Sequence, residues 1–312
     1  MSARNRNSRR DFMKTTAALG VGYWVAGRAT ADDAPKPNES PSEKVRFACI
    51  GVEGKGSSDA GDAGKFGQVV AICDVDDDRL NKAAQRFPDA KKFYDYRDLF
   101  DEMSGQFDAV TVSTPDHMHA VVSVRAMKEG KAVFCQKPLT RSIGEARRVS
   151  QVAREMKVAT QMGNQGTASP GLRKCAAIVQ AGALGPVHEV HVWTNRPIWP
   201  QGVARPESKP IPKNLHWNQW LGVAPKRDYA DGYHPFAWRG WWDFGSGALG
   251  DMGCHMMNQP YMALDLRDPI SVMAETSGHN KESYPKWSII QYEFAATDKR
   301  PAVKLTWYDG GK

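Results

Sequence analysis

Val45-Arg46-Phe47-Ala48-Cys49-Ile50-Gly51-Val52-Glu53-Gly54-Lys55-Gly56-Ser57-Ser58 opens a unit that closes on Val69-Val70-Ala71-Ile72-Cys73-Asp74. Two apolar runs read as buried strands, and the glycines between them let a backbone approach a pyrophosphate. A helix starting behind those glycines points free N–H groups at the same place. Asp74 falls 23 residues after Gly51, close to the ~20 expected when a carboxylate holds ribose hydroxyls. Together these features predict a dinucleotide site built from Gly51, Gly54, Gly56, Ser57 and Asp74. Asp74 favours NAD over NADP, because it repels a 2′-phosphate. Position 53, where G-x-G-x-x-G carries its second glycine, is Glu53. A carboxylate there repels a pyrophosphate unless it turns away, which moves the register to Gly54.

Outward from this unit, strands and helices alternate. Helical stretches are expected over 79–87, 98–103, 118–128 and 145–157, and strands over 92–94, 107–113, 132–135 and 158–162. The run FDAVTVS is apolar on both faces, as in a sheet covered on both sides. Such βαβα order implies a doubly wound parallel sheet. Near Gly163 the pattern changes. A helix over 171–181 leads to the alternating VHEVHVW of 187–193, read as a half-exposed antiparallel strand. A proline-rich loop, 197–212, and an aromatic region, 217–242, follow. Strands are expected at 270–275, 288–294 and 302–308. Asp309-Gly310 is a hairpin signal with almost nothing behind it, so the sequence reads as truncated inside a sheet. The fold class is therefore α/β: a Rossmann domain, 45–163, then an α+β domain, 164–312, with a large open, mainly antiparallel sheet.

The 312 residues carry a net charge of +7. Residues 1–31 hold six basic residues and one acid, and removing them leaves +2. No basic stripe remains to track phosphates, which argues against nucleic acid. Ser8-Arg9-Arg10-Asp11-Phe12-Met13-Lys14, a modest apolar stretch and Ala29-Thr30-Ala31 are arranged like a twin-arginine export signal with its cleavage site. Residues 32–44 read as a linker. The expectation is an exported, periplasmic protein with no membrane span after signal removal, since no later stretch approaches ~20 apolar residues. Five cysteines without a C-x-x-C pair suggest neither a disulfide framework nor a zinc site.

Ligands in open α/β sheets bind at the carboxyl ends of the strands. Thr114-Pro115-Asp116-His117-Met118-His119 follows one such strand and Gln136-Lys137-Pro138 the next. Lys137 could polarise a carbonyl or share a hydroxyl proton, its pKa lowered in an apolar pocket. Thr114, Pro115, His119 and Gln136 are placed beside the cofactor; His117 and His119 position the nucleotide or cap their helix. In Gly247-Ala248-Leu249-Gly250-Asp251-Met252-Gly253-Cys254-His255, Asp251 and His255 are spaced i, i+4, so one helical face presents both. A carboxylate beside an imidazole suits proton abstraction from an alcohol. No H-E-x-x-H is present, so no metal is expected. Trp238 and Arg239 could stack on a sugar ring, although buried core aromatics are the commoner use of such residues.

The glycine loop, CDVD (73–76), STPDHMHA (113–120), CQKPLT (135–140) and GALGDMGCH (247–255), behind a twin-arginine leader, resemble the Gfo/Idh/MocA oxidoreductases from about Val45 onward. The resemblance implies a second domain that supplies half the site and a homo-oligomer interface, dimeric or tetrameric. It maps the family's catalytic lysine to Lys137 and its aspartate and histidine to Asp251 and His255. The usual glutamate of E-K-P is here Gln136. The function expected is NAD-dependent hydride transfer at a sugar or polyol carbinol carbon, with tightly bound cofactor. His255 would act as acid/base, Lys137 at the same oxygen, and Asp251 would orient substrate or His255. Two alternatives remain: a glycosidase or lyase that oxidises transiently and recycles NAD, and a non-catalytic nucleotide or carbohydrate sensor, kept open by Glu53 and Gln136.

Overall fold

Strand β1 (Val45–Ile50) ends on the buried run Ala48-Cys49-Ile50, and its parallel neighbours are buried on both faces at the same level because helices cover both sides of their sheet. The computed structural model describes residues 44–312. The leader expected around Arg9-Arg10, the cleavage site expected at Ala31 and nearly all of the expected linker lie outside the described residues. After β1 come α1 (Lys55–Phe66), β2 (Gly67–Cys73), α2 (Asp77–Arg86), β3 (Lys91–Phe93), α3 (Tyr96–Met103) and β4 (Ala109–Val112). Then follow α4 (Asp116–Lys128), β5 (Ala132–Gln136), α5 (Ile143–Met156) and β6 (Thr160–Gly163). The six strands lie in the order β3-β2-β1-β4-β5-β6, every pairing parallel. This is the doubly wound order, with its crevice where the chain reverses direction between β1 and β4.

Local chemistry fixes the helix starts. Asp76 caps α2 by accepting from the N–H groups of Asp78 and Arg79. Ser142 and Glu145 form a reciprocal capping box on α5. Helix α1 has no side-chain cap. Its buried residues are mostly glycine and alanine, which bring it close to the sheet. A Cβ on Gly56 would stand 2.0 Å from the Gly51 carbonyl oxygen, so only glycine fits there.

Beyond β6 run α6 (Gln165–Ala168), α7 (Pro170–Gln180), β7 (Glu189–Trp193), α8 (Trp217–Leu221), α9 (Gly247–Met256) and α10 (Asn258–Leu264). Strands β8 (Ser271–Thr276), β9 (Ser288–Phe294) and β10 (Val303–Tyr308) complete a second sheet in the order β7-β10-β9-β8. Residues of α9 and α10, among them Leu249, Met252 and Tyr261, pack against its core residues Ile290, Leu305 and Trp307.

One sequence expectation is corrected here. Strand β7 pairs with β10 in parallel, not antiparallel; alternation reports which side chains are half-buried but carries no strand direction. The hairpin expected at Asp309-Gly310 has no second arm among the described residues, where both edges of β10 are paired, by β7 and β9. Asp309 instead accepts from the Ser288 N–H and hydroxyl and from the Trp307 indole, all within 2.8 Å.

Between β7 and α9 the chain builds an aromatic cluster. Trp217 and Trp220 stack at 4.7 Å, and Tyr233, Trp241 and Phe244 close around them. His117, at the start of α4, sits against Trp220 and Phe244 and ties the cluster to the Rossmann unit. No helix among the described residues is long and apolar enough to cross a membrane.

Candidate active site

A cavity of about 480 Å³ runs along the carboxyl ends of the parallel strands, within the ~300–1,000 Å³ usual for small-molecule sites. Gly51, Asp74, Thr114 and Gln136 line its floor; Trp220, His234 and Trp238 line the roof. Asp76 holds roof to floor. Its carboxylate accepts from Asn214 Nδ2 at 2.9 Å, lies 2.9 Å from His234 Nε2, and pairs with Arg79 at 3.2 Å. Beside it the Asp77 N–H donates to the Asn214 carbonyl, and the His216 N–H to the Val75 carbonyl.

The glycine loop is shaped for an anion. Gly51 and Gly54 have φ of 79° and 59°, a left-handed region that glycine enters without strain, and the uncapped N-terminus of α1 follows. Glu53 turns toward Lys82, 3.1 Å away. Burial alone would raise its pKa, but Lys82 and the Gly54 N–H outweigh that and hold it below the ordinary glutamate value. Gly51, Glu53 and Gly54 all line the cavity, with the Glu53 carboxylate paired to Lys82. Gly56 and Ser57 do not line the cavity: Gly56 packs α1 onto the loop, and the Ser57 carbonyl accepts from Arg86 at 3.0 Å.

Asp74 accepts from the N–H groups of Val52 (3.0 Å) and Asp76 (3.2 Å). Burial, opposed by those two hydrogen bonds, lifts its pKa to about 6. Thr114 Oγ1 is buried without a hydrogen-bond partner among the described residues, and Pro115 stands at the N-cap of α4. His119 lines the cavity, but its ring nitrogens face the carbonyls of Thr114 (2.8 Å) and Pro138 (2.7 Å), clamping the two strand-end loops together. His117 does not position a nucleotide. Its nitrogens face the carbonyls of Phe244 (3.2 Å) and Trp220 (3.0 Å), and full burial pushes its pKa down to about 4.

Lys137 lines the cavity at the end of β5. The apolar pocket expected for it is absent: its ammonium donates to the Asp251 carboxylate at 2.6 Å and to the Asp251 carbonyl at 2.9 Å. Arg239 Nε lies 3.3 Å from the same carboxylate oxygen, and its guanidinium stacks on Trp238 at 4.1 Å. Asp251 and His255 share α9 but no hydrogen bond joins them among the described residues, so Asp251 orients Lys137 and Arg239 rather than His255. Neither Asp251 nor His255 lines this cavity. His255 is half-buried; burial and the Lys137 charge, against a smaller pull from Asp251, lower its pKa below 6.5. Trp238 is largely buried in the aromatic cluster, with its indole N–H on the Pro235 carbonyl.

Several residues of the site were not singled out by the sequence, although Asp116 lies in the strand-end motif Thr114–His119 and Trp220 in the aromatic region. Asp116 is buried at the cavity wall and accepts from the Ser246 hydroxyl. Burial raises its pKa above the ordinary aspartate value, against His119 and that hydrogen bond. Arg79, Tyr94 and Trp220 also line the cavity.

Residues 45–164 match the GFO_IDH_MocA family, described as an oxidoreductase family with an NAD-binding Rossmann fold. Residues 172–299 match the C-terminal alpha/beta domain of that oxidoreductase family. A glycosyl hydrolase family 109 protein of Solibacter usitatus is 31% identical over 153 residues, 45% of this chain and 35% of that protein. An inositol 2-dehydrogenase of Salmonella typhimurium is 29% identical over 126 residues, 40% of this chain and 37% of that protein. These matches span little more than a third of the relatives' own length. The WlbA dehydrogenase from Bordetella pertussis, solved with NADH and UDP-GlcNAcA, shares the fold with a TM-score of 0.61 at 18% identity, over 84% of this chain and 71% of that one.

Proposed function

The chain belongs to the Gfo/Idh/MocA oxidoreductases, and from that premise we propose that it binds NAD and oxidises or reduces a sugar or polyol at a carbinol carbon. The site fits the cofactor. The uncapped α1 N-terminus and the close-packed Gly51–Gly56 loop would receive the pyrophosphate, and Asp74 the ribose hydroxyls. Thr114, Pro115 and Gln136 would border the nicotinamide half. When bound, NAD supplies a hydride acceptor; the proton is the protein's task.

The observation that carries this reading is Lys137, which joins the cavity wall to Asp251 of α9. Its ammonium, oriented by two Asp251 oxygens, would hold the substrate hydroxyl. His255, kept neutral by burial and the lysine charge, would take the proton. Arg239 and Trp238 would border the sugar. The test is incubation of the purified protein with a panel of sugars and polyols, following reduction of bound NAD by its absorbance. NAD released on denaturation, but never reduced by any of them, would overturn the oxidoreductase reading in favour of a sensor. Similarity to the glycosyl hydrolase family 109 protein supports a second reading, glycoside cleavage with NAD recycled. Free sugar released without net NADH would identify it.

Export through Arg9-Arg10 with cleavage after Ala31 is part of the proposal. A mature N-terminus at Asp32 in the periplasm would support it; an intact leader in the cytoplasm would refute it. Strand β8 is exposed along its whole length, with Val272 and Met273 more than half exposed. That supports a homo-oligomer through this sheet, measurable by light scattering.

A further inference from the structure

Asp59, on the α1 face turned to the sheet, is 5% exposed. Three groups meet its carboxylate: the Lys55 ammonium, the Ser113 hydroxyl at 2.8 Å and the Gln136 amide nitrogen at 2.8 Å. They come from α1, the end of β4 and the end of β5, so one buried acid joins three of the strand-end segments around the cavity. A carboxylate only accepts hydrogen bonds, so it dictates which end of the Gln136 amide faces it. Gln136 is also packed flat: a Cβ on Gly163 would stand 2.5 Å from its Nε2. The amide nitrogen is committed to Asp59, whereas Oε1 accepts no hydrogen bond among the described residues. Gln136 lines the cavity.

A glutamate at 136 would set two carboxylates at hydrogen-bond distance with Lys55 alone to compensate. Gln136 and Asp59 therefore work as one unit, with the negative charge held beneath the cavity floor rather than on its surface. The floor then presents an uncharged acceptor at Gln136.

In a doubly wound fold the two mononucleotide halves lie on either side of the crevice between β1 and β4. Asp74, at the end of β2, marks the adenosine half, so Gln136 on β5 belongs to the nicotinamide half. We propose that Asp59 is a positioning residue that fixes Gln136 Oε1 as an acceptor, thereby selecting the carboxamide of NAD over the carboxylate of nicotinic acid adenine dinucleotide. This rests on the NAD reading above and adds to it a specificity device.

The decisive variant is Asp59→Asn. Lys55 only donates, so it holds the oxygen of the new amide and leaves that amide's nitrogen facing Gln136. The Gln136 amide must then turn over and present N–H to the cavity. A mismatched buried hydrogen bond changes affinity by about tenfold. Titration of the purified, cofactor-stripped protein with each dinucleotide should show NAD preferred by the unsubstituted protein by about tenfold or more. Asp59→Asn should reverse or abolish that preference, and Gln136→Met should abolish it without reversal. A merely structural role for Asp59 would weaken both dinucleotides alike, and that outcome overturns the proposal, as does a full preference kept by Gln136→Met. Equal affinity in the unsubstituted protein would overturn it while leaving the NAD reading intact. Binding of neither dinucleotide would overturn both.

Discussion

The ammonium of Lys137 lies 2.6 Å from the carboxylate of Asp251, and 2.9 Å from the backbone carbonyl of the same residue. Both side chains are nearly buried, at 14% and 12% exposure. Two contacts to one residue fix the direction of the lysine, where one ion pair would leave it free to swing. This pair ties the Rossmann half of the site to α9, alongside the Ser246–Asp116 hydrogen bond at the start of that helix.

Breaking that pair should hurt both stability and turnover. Asp251→Ala leaves the Lys137 ammonium with the residue 251 carbonyl but without its carboxylate partner, and losing the counter-charge of a buried pair costs up to about 3–5 kcal/mol. Asp251→Asn keeps the shape but weakens the hold on Lys137 and Arg239. It should lower kcat about a hundredfold while NAD affinity stays within a few-fold. Lys137→Ala should lower kcat at least as far. Urea unfolding beside steady-state kinetics checks all three, and wild-type kcat in Asp251→Asn would refute the orienting role.

His255 should set the acid limb of the rate profile. Burial and the Lys137 charge lower its pKa below 6.5, so it is a neutral base at pH 7. Activity should be full at neutral pH and fall as pH drops through a value under 6.5. His255→Ala should lose about a hundredfold or more in kcat, with the acid limb gone and NAD affinity little changed. A limb unaltered in His255→Ala would assign the proton to another group.

Asp74 makes cofactor affinity depend on acidity. Its pKa is raised to about 6 by burial, and ribose hydroxyls donate best to the ionised form. NAD affinity should be full above pH 6 and weaken as pH falls through it, by up to about tenfold per unit. In the unliganded protein the sign is opposite. The folded form takes up this proton before the unfolded chain does, so Asp74 contributes stability below about pH 4 that is lost as pH rises through 6. Asp74→Asn should flatten both dependences and narrow the gap between NAD and NADP. Tighter binding of NADP by the unsubstituted protein would remove Asp74 from the ribose.

The Rossmann half was legible because its signals are local. Apolar runs, Gly51, Gly54, Gly56 and the acid at 74 lie within one strand–helix–strand unit. Asp59 was not, since it reads as an ordinary helix acid while its partners Ser113 and Gln136 lie 54 and 77 residues away. Gln136, a departure from the family pattern in sequence, acquires its reason only with Asp59 beside it. The i, i+4 spacing of Asp251 and His255 placed both on α9 but could not show that Lys137, 114 residues off, takes the aspartate. The aromatic region was visible as composition. That it roofs the cavity depends on Asp76 holding Asn214 and His234, a contact across 138 and 158 residues.

His117 should make the fold acid-sensitive. Both ring nitrogens face carbonyls and the side chain is 1% exposed, so protonation places a buried charge among Trp220 and Phe244. Its pKa is pushed down to about 4 by burial, whereas an unfolded histidine titrates near 6.5. Between those values the unfolded chain binds the extra proton. The stability His117 supplies is therefore fully present above about pH 6.5 and is lost as pH falls toward 4, by roughly 3 kcal/mol in total. Because His117 ties α4 to the aromatic roof, that loss should appear as roof opening, read by tryptophan fluorescence, before the Rossmann sheet melts by circular dichroism. His117→Gln keeps an N–H donor for these carbonyls but cannot take a proton in this range. It should be less stable at neutral pH, with a shallower slope between pH 4 and 6.5. Equal slopes for the two proteins would show that other groups set the acid transition.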